Sequence, residues 1–156
     1  MPALLDTYIE NRHRVQPNHA NNYGTVHGGN VMKWMDEVGA MSAIRFSGEY
    51  CVTASVDNLS FERPVPVGET VFIRSYVYDA GRTSAKVRLK TFREDPKDGT
   101  RERTTESYFV FVAIDEDGKP TEVPELTVET ERGQKLREAA LEGESEECRT
   151  FGEDEG

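Results

Sequence analysis

A long apolar segment behind two adjacent glycines constrains the fold of this chain more than any other feature. Gly28-Gly29 precede it, its apolar side chains recur at helical spacing over residues 30–46, and Gly48 is placed to end the helix. Further apolar residues widen this surface beyond a single stripe. The stripe comprises Val31, Trp34, Met35, Val38, Met41 and Ile44, and the widening residues are Met32, Ala40, Ala43 and Phe46. We therefore expect a mostly buried helix with the remaining chain wrapped around it.

The period of the sequence changes from helical spacing to alternation once this helix has ended. Alternating apolar and polar residues predict four strands after the helix, and a looser alternation predicts one strand before it. The predicted strands lie within residues 7–15, 52–57, 70–78, 84–92 and 104–114. Short connections rich in Gly, Pro and Asp favour an antiparallel meander. This order predicts an α+β domain in which a curved antiparallel sheet wraps one long central helix.

The charge balance excludes some classes of partner. A formal net charge of −10 over 156 residues argues against nucleic acid, because phosphate binding requires clustered Lys and Arg. We expect no membrane span, since no segment is apolar over the length needed to cross a bilayer. Cys51 and Cys148 fit neither a disulfide framework nor a metal-ligand spacing, so we expect no metal and a reducing, cytoplasmic setting.

The end of the chain differs in composition from the rest. Residues 142–156 are acidic and contain glycine, a composition typical of disorder, and they follow a helix-compatible segment at residues 129–141. We therefore expect one folded domain over residues 1–141 and a disordered acidic tail over residues 142–156.

Asp36 and Glu37 lie within the predicted buried helix and are the first candidates for acid–base chemistry. An uncompensated carboxylate is costly in an apolar site, so a carboxylate there indicates a specific role. In the alternative interpretation, both lie on a solvated edge of the helix, where Lys33 pairs with one of them at one-turn spacing. The sequence leaves both interpretations open.

Gly28 and Gly29 are the second candidate, because unpaired amides at the positive end of a helix dipole can hold a developing oxyanion. A plain tight turn is the alternative. Asp36 follows Gly28 by eight residues, or about 12 Å along a helix, so one chain cannot bring both to one carbonyl. Two such helices packed antiparallel across a two-fold axis would bring them together. The spacing therefore indicates a site shared between two chains.

Three further polar features are candidates: a loop, a histidine and a strand turn. The amide-rich loop containing Asn21 can position a water or bind a carbonyl, although Asn clusters also form ordinary turns. His27 has no acid partner identifiable from the sequence, and we interpret it as a structural or helix-capping residue. The turn Arg82-Thr83-Ser84 offers a cation and hydroxyl groups that suit phosphate oxygens, or it is a solvated hairpin.

Several of these segments, taken in order, resemble the acyl-CoA hydrolase family of hotdog thioesterases. That family includes bacterial YciA-like enzymes and tandem-domain cytosolic and brain acyl-CoA hydrolases. Each segment alone is weak evidence, but the ordered set is specific, and the likeness extends over residues 7–141. The segments are residues 17–29, 31–39, 52–57, 61–68, 81–84, 108–113 and 123–126.

The resemblance implies a hotdog fold and hydrolysis of fatty acyl-CoA to free fatty acid and CoA, with no metal or redox cofactor. Asp36 would take the place of the catalytic aspartate, as general base or as nucleophile, and Asn21 that of the catalytic asparagine. Gly28 and Gly29 would supply the helix-terminal amides. The CoA phosphates would lie near Arg82, Thr83 and Ser84.

The resemblance also bears on assembly and on rival functions. In the tandem relatives the asparagine and aspartate of one site come from different domains, so this single domain would need a homodimer. Relatives commonly form trimers of such dimers, giving hexamers. A non-catalytic acyl-CoA-binding hotdog module is the alternative function, and a hotdog hydratase would require an Asp-x-Asn-x-x-His pattern that residues 21–27 lack.

Overall fold

The computed structural model describes the backbone of residues 2–57 and 59–155 and the side chains of residues 2–57 and 59–144. Two helices and five strands make up the described chain, with short 3-10 turns at Leu4–Thr7 and Pro17–His19. In chain order the elements are β1 (Ile9–Arg14), α1 (Gly28–Ser47), β2 (Tyr50–Asp57), β3 (Thr70–Ala80), β4 (Ser84–Glu94), β5 (Arg101–Ile114) and α2 (Glu131–Glu155). All five predicted strands and both predicted helices are present.

The five strands form one antiparallel sheet in the order β1-β3-β4-β5-β2. The predicted meander is confirmed for β3, β4 and β5 but is wrong for β2, which pairs with β5 at the far edge. The reason is that the connection from β2 to β3 crosses the domain instead of turning back. Along this path the Glu62 N–H donates to the Thr104 carbonyl and the Val65 carbonyl accepts from the Val26 N–H. The α+β hotdog architecture, with a sheet around one long helix, is confirmed.

Helix α1 begins at Gly28 and ends where the sequence predicts. Gly48 has a positive φ of 73° and its N–H donates to the Ile44 carbonyl, which is how a glycine ends a helix. The face toward the sheet is buried against β3, β4 and β5, with Met35 and Val38 fully inaccessible. Met32 and Met41 remain 42% and 44% exposed, so only one face of this predicted mostly buried helix is covered. Five strands cover one side of a helix, and the other side is open.

Helix α2 packs on the opposite face of the sheet. Ala140 is buried against Tyr76, Tyr78 and Tyr108, and the Tyr76 hydroxyl donates to the Leu136 carbonyl. This helix extends past the predicted end at residue 141. The domain boundary at 141 and the disordered tail stay predictions, since the side chains after residue 144 lie outside those described.

Candidate active site

Asp36 lies on α1 and faces β2. Its partly buried carboxylate accepts a hydrogen bond from the Thr53 hydroxyl of β2. The neighbouring Glu37 is exposed, and among the described side chains Lys33 pairs with neither carboxylate. The two carboxylates therefore differ: Glu37 lies on the solvated edge of the helix, whereas Asp36 is oriented by a fixed donor.

The first turn of α1 presents free backbone donors. His27 is the N-cap residue, with extended backbone angles of φ −62° and ψ 133°, and its side chain does not cap the helix. Within the described part of the chain, the amides of Gly28 and Gly29 donate no hydrogen bond. These N–H groups point out of the positive end of a 20-residue helix, an arrangement that suits an anion or an oxyanion.

The loop before α1 is fastened to the helix through His19. The His19 carbonyl accepts hydrogen bonds from the His27 N–H at 2.8 Å and from the Asn30 side-chain amide at 3.1 Å. The Trp34 ring contacts His19 edge-on and stacks on His13, with 4.7 Å between the His13 and Trp34 ring centroids. Burial lowers the pKa of His13, which favours the neutral imidazole that packs on Trp34. The loop and the helix start therefore hold a fixed relative position.

Asn21 lies in this loop and is held by its own neighbours. Its side-chain oxygen accepts from the backbone N–H groups of Tyr23 at 2.9 Å and Thr25 at 3.2 Å, as in a turn-forming Asn. Its amide nitrogen donates to the Thr25 hydroxyl at 3.0 Å. An amide carries two N–H donors, so one donor is left for a water or a substrate. Within one chain Asn21 forms a turn, and no hydrogen bond joins it to Asp36 among the described residues.

A cavity of about 300 Å³ opens beside the first turn of α1. Gly28 and Val31 of the helix line one wall, and Phe61 and Val65 of the β2–β3 connection line the other. Polar and charged residues also line it, namely Thr25, Thr104, Glu62 and Arg63. Gly28 at the helix start therefore borders a space with both apolar and charged side chains around it.

The predicted phosphate-binding turn lies between β3 and β4. Arg82 is exposed and lines a larger cavity of about 560 Å³, which Arg137 of α2 also lines. Asp79, Glu122 and Glu125 border the same cavity, so its charge is mixed. Thr83 and Ser84 are partly buried and do not line this cavity. Of the three predicted residues, Arg82 therefore borders this cavity, whereas Thr83 and Ser84 lie outside its lining.

Strand β2 is an open edge of the sheet. One side of β2 pairs with β5, the other is free in the described chain, and seven of its eight residues are exposed. The exposed residues include the large apolar side chains Tyr50, Val52 and Val56. Native proteins usually protect such an edge, so its exposure in one chain is typical of a contact with another chain.

No group of three or more His, Cys, Asp or Glu side chains in the described part of the chain is placed to hold a metal ion. Likewise, no described helix combines the length and apolar character needed to cross a membrane.

Three residues next to the candidate groups were not identified from the sequence: Thr53 contacts Asp36, Phe61 lines the cavity beside Gly28, and Arg137 lines the cavity beside Arg82. Each reaches its position through a long-range contact: Thr53 through the pairing of β2 with β5, Phe61 through the crossing connection, and Arg137 through the docking of α2. The only sequence signal for Thr53 is a hydroxyl in a strand that follows the carboxylate-bearing helix, and that signal is weak alone.

Known proteins share both the sequence and the fold. A model of the Thioesterase superfamily matches residues 23–100. The uncharacterized acyl-CoA thioester hydrolase YkhA of Bacillus subtilis is 36% identical over 133 residues, which are 85% of this chain and 77% of that protein. The chain belongs to the thioesterase superfamily.

Solved structures of this superfamily superpose on nearly the whole chain. An apo-hexameric acyl-CoA thioesterase matches with a TM-score of 0.82 and 30% identity, covering 97% of this chain and 98% of that one. An acyl-CoA hydrolase from Staphylococcus aureus, in complex with butyryl coenzyme A, coenzyme A and coenzyme A disulfide, matches with a TM-score of 0.82 and 27% identity. That match covers 98% of this chain and 94% of the other.

Three variant structures of the Staphylococcus aureus protein bear on the site. They carry alanine in place of one asparagine, one aspartate or one threonine. In that protein the aspartate follows the asparagine by fifteen positions and the threonine follows the aspartate by seventeen. In the thioesterase-superfamily chain described here, Asn21, Asp36 and Thr53 have the same two spacings.

Proposed function

We propose that this chain is an acyl-CoA thioesterase that hydrolyses fatty acyl-CoA to free fatty acid and CoA at a site built around Asp36. The observation that carries the proposal is the partly buried Asp36 carboxylate on α1, oriented by the Thr53 hydroxyl. The matching spacings of Asn21, Asp36 and Thr53 in the Staphylococcus aureus hydrolase support it further.

In this mechanism Asp36 is the general base. Its carboxylate takes a proton from a water as the water oxygen attacks the thioester carbonyl carbon. The tetrahedral intermediate then expels the CoA sulfur, which receives the proton, and the products are a carboxylic acid and a thiol. A direct attack by Asp36 would instead form a mixed anhydride that water opens, and it uses the same residues.

The remaining groups stabilise charge and position the reactants. The free amides of Gly28 and Gly29 lie at the helix start, where an oxyanion gains from both the N–H donors and the helix dipole. The unused amide donor of Asn21 orients the attacking water or the substrate carbonyl.

The site is shared between two copies of the chain. Within one copy Gly28 and Asp36 are about 12 Å apart along α1, so the amides of one chain serve the carboxylate of the other. The open edge at β2 is the surface for this dimer, because pairing two β2 strands across a two-fold axis covers Val52 and Val56. A hexamer would be a trimer of such dimers.

The CoA moiety lies toward the β3–β4 turn. Arg82 borders the larger cavity and provides the cation for a phosphate group, with Thr83 and Ser84 on the same turn. We propose that the reaction uses no metal or redox cofactor, because a carboxylate, a water and hydrogen-bond donors suffice for thioester hydrolysis. A cytoplasmic setting, where acyl-CoA is present, completes the proposal.

Thiol release from purified protein and a series of acyl-CoAs tests this proposal. We expect hydrolysis by the wild type and a loss of about 100-fold or more in kcat for Asp36→Ala, as for removal of a general base. Glu37→Ala is the matched control, since it removes an exposed carboxylate from the next position of the same helix. Equal activities of Asp36→Ala and wild type would contradict the mechanism, and acyl-CoA binding without hydrolysis by the wild type would favour a binding module.

A further inference from the structure

The Phe61 ring lies directly over Gly28 at the start of α1. A methyl group placed on Gly28 would be 3.2 Å from Cε2 and 3.5 Å from Cζ of this ring. Gly28 does not have a positive φ, so its backbone conformation does not require glycine. The close approach of the Phe61 ring therefore means that a side chain at position 28 fits only if the ring moves by a few tenths of an ångström.

The same ring forms a wall of the cavity beside the helix start. Phe61 is 45% exposed, although it is large and apolar, and it lines the cavity together with Val31 of α1 and Val65 of its own connection. It belongs to the crossing connection between β2 and β3, so it reaches the helix start from a different part of the chain. A half-exposed aromatic ring beside Gly28, whose backbone amide is free, is suited to contact a bound apolar group.

We propose that the acyl chain of the thioester enters this cavity and that Phe61 determines how long a chain the cavity accepts. The inference rests on the proposed function, because the Gly28 and Gly29 amides hold the carbonyl oxygen there. An acyl chain begins at the carbonyl carbon and is apolar, so it takes the apolar space next to these amides, whereas the large polar CoA moiety leaves toward solvent. A volume of about 300 Å³ is small for a ligand pocket, so the wild type favours short and medium acyl chains.

The acyl-chain profile of kcat/KM tests the role of Phe61. Acetyl-, butyryl-, hexanoyl-, octanoyl- and palmitoyl-CoA are assayed with the wild type, Phe61→Ala and Phe61→Trp. We expect the optimum to move to longer chains in Phe61→Ala and to shorter chains in Phe61→Trp. Each additional methylene that the enlarged cavity accepts should raise kcat/KM about fourfold. Val67→Ala is the matched control, because Val67 lies in the same connection, is 39% exposed and does not line the cavity.

Substitution of Gly28 also tests the contact between Gly28 and the Phe61 ring. The ring of Phe61 is half-exposed and can move, so Gly28→Ala should displace it with little loss of stability and change the chain-length profile. In the Phe61→Ala background, Gly28→Ala should cause no further change in profile, because the ring it displaces is absent. Thermal unfolding and oligomeric state are measured for every variant to separate a changed profile from a damaged fold.

The outcomes separate this inference from the function on which it rests. If the wild type hydrolyses none of the acyl-CoAs, the proposed function fails and the inference fails with it. If the wild type is active and Phe61→Ala keeps the wild-type profile, only the inference is overturned. Independent effects of the Gly28 and Phe61 substitutions on the profile would also overturn it.

Discussion

The Thr53 hydroxyl on the edge strand β2 donates a hydrogen bond to the Asp36 carboxylate on α1. This contact joins the central helix to the strand that lies at the open edge of the sheet. This hydrogen bond favours one orientation of the carboxylate, and a well-oriented base transfers a proton more efficiently. The same contact makes the position of Asp36 depend on the strand that we propose as the dimer surface.

Removal of the Thr53 hydroxyl should slow catalysis without weakening substrate binding. Hydrogen bonds to charged groups contribute about 1.5–3 kcal/mol, so Thr53→Ala should lower kcat by roughly tenfold to a hundredfold. Steady-state assays should give a KM close to that of the wild type. Thr53→Ser keeps the hydroxyl and should restore most of the rate. Equal rates for Thr53→Ala and Thr53→Ser would show that the hydroxyl has no such role.

Alanine substitutions at two glycines of α1 should differ in their effect on the free energy of unfolding. A methyl group at Gly39 would lie 3.1 Å from the Phe111 ring and 3.3 Å from Leu89, both fully buried and unable to move away. Gly39→Ala should therefore destabilise the fold by about 1–3 kcal/mol. Gly29 has open space around it, so Gly29→Ala should leave stability unchanged or raise it by about 0.5–1 kcal/mol. Urea unfolding of both variants measures the difference, and a stabilised Gly39→Ala protein would contradict the close packing.

Glu94 should make stability depend on pH in the acid range. Its carboxylate accepts from Arg12 at 2.9 Å and from Arg101 at 2.6 Å, and the Arg12 hydrogen bond is the main reason that its pKa lies below the usual range. A pKa that is lower in the folded than in the unfolded state stabilises the fold above the unfolded value of about 4.3. This stabilisation is lost as the pH falls through the folded pKa.

Glu94→Gln tests this linkage by unfolding at several pH values. At pH 7 the variant should be less stable by about 1 kcal/mol, since both guanidinium groups are partly solvated. The difference from the wild type should shrink below about pH 4. Glu102→Gln is the control, because the Glu102 side chain is 61% exposed and its pairing with Arg63 is long at 3.6 Å. A pH-independent difference for Glu94→Gln would contradict the role of the charge.

The end of the ordered domain should lie beyond residue 141. Glu144 accepts a hydrogen bond from the Tyr78 hydroxyl at 2.8 Å and pairs with Lys86 at 3.1 Å. A methyl group at Gly143 would clash with the Tyr108 hydroxyl, so α2 lies close to the sheet at this point. We expect truncation after residue 144 to leave the melting temperature unchanged and truncation after residue 141 to lower it by several degrees. Equal melting temperatures would place the boundary at residue 141.

Local sequence signals were sufficient for the helices and strands but not for the order of the strands. Gly28 and Gly48 mark α1 because each acts through its own backbone, and alternation marks the strands because it reflects burial on one face. The position of β2 at the far edge depends on hydrogen bonds such as that from Glu62 to Thr104, which join residues far apart in the sequence. A turn-like composition in the β2–β3 connection could not distinguish a hairpin from a crossing.

The sequence identifies those site residues whose chemistry is unusual for the element that carries them. Asp36 stands out because a carboxylate on an otherwise apolar helix is costly, and Gly28-Gly29 because they open that helix. Thr53 and Phe61 are ordinary residues for a strand and a loop, and only the packing of β2 and its connection against α1 gives them a role. Asn21 forms a turn within one chain, so its catalytic role depends on the proposed partner.

The activity of mixed subunits tests the shared site most directly. Asn21→Ala and Asp36→Ala proteins, each inactive against acyl-CoA alone, are dissociated, mixed in equal amounts and allowed to reassemble. If each site takes these residues from different chains, half of the dimers are hybrids with one intact site, and about a quarter of the wild-type activity returns. If both residues act from the same chain, no site is intact in any mixture, because every chain lacks one of the two residues. Activity that stays at the level of the separate variants in proven hybrids would contradict the account.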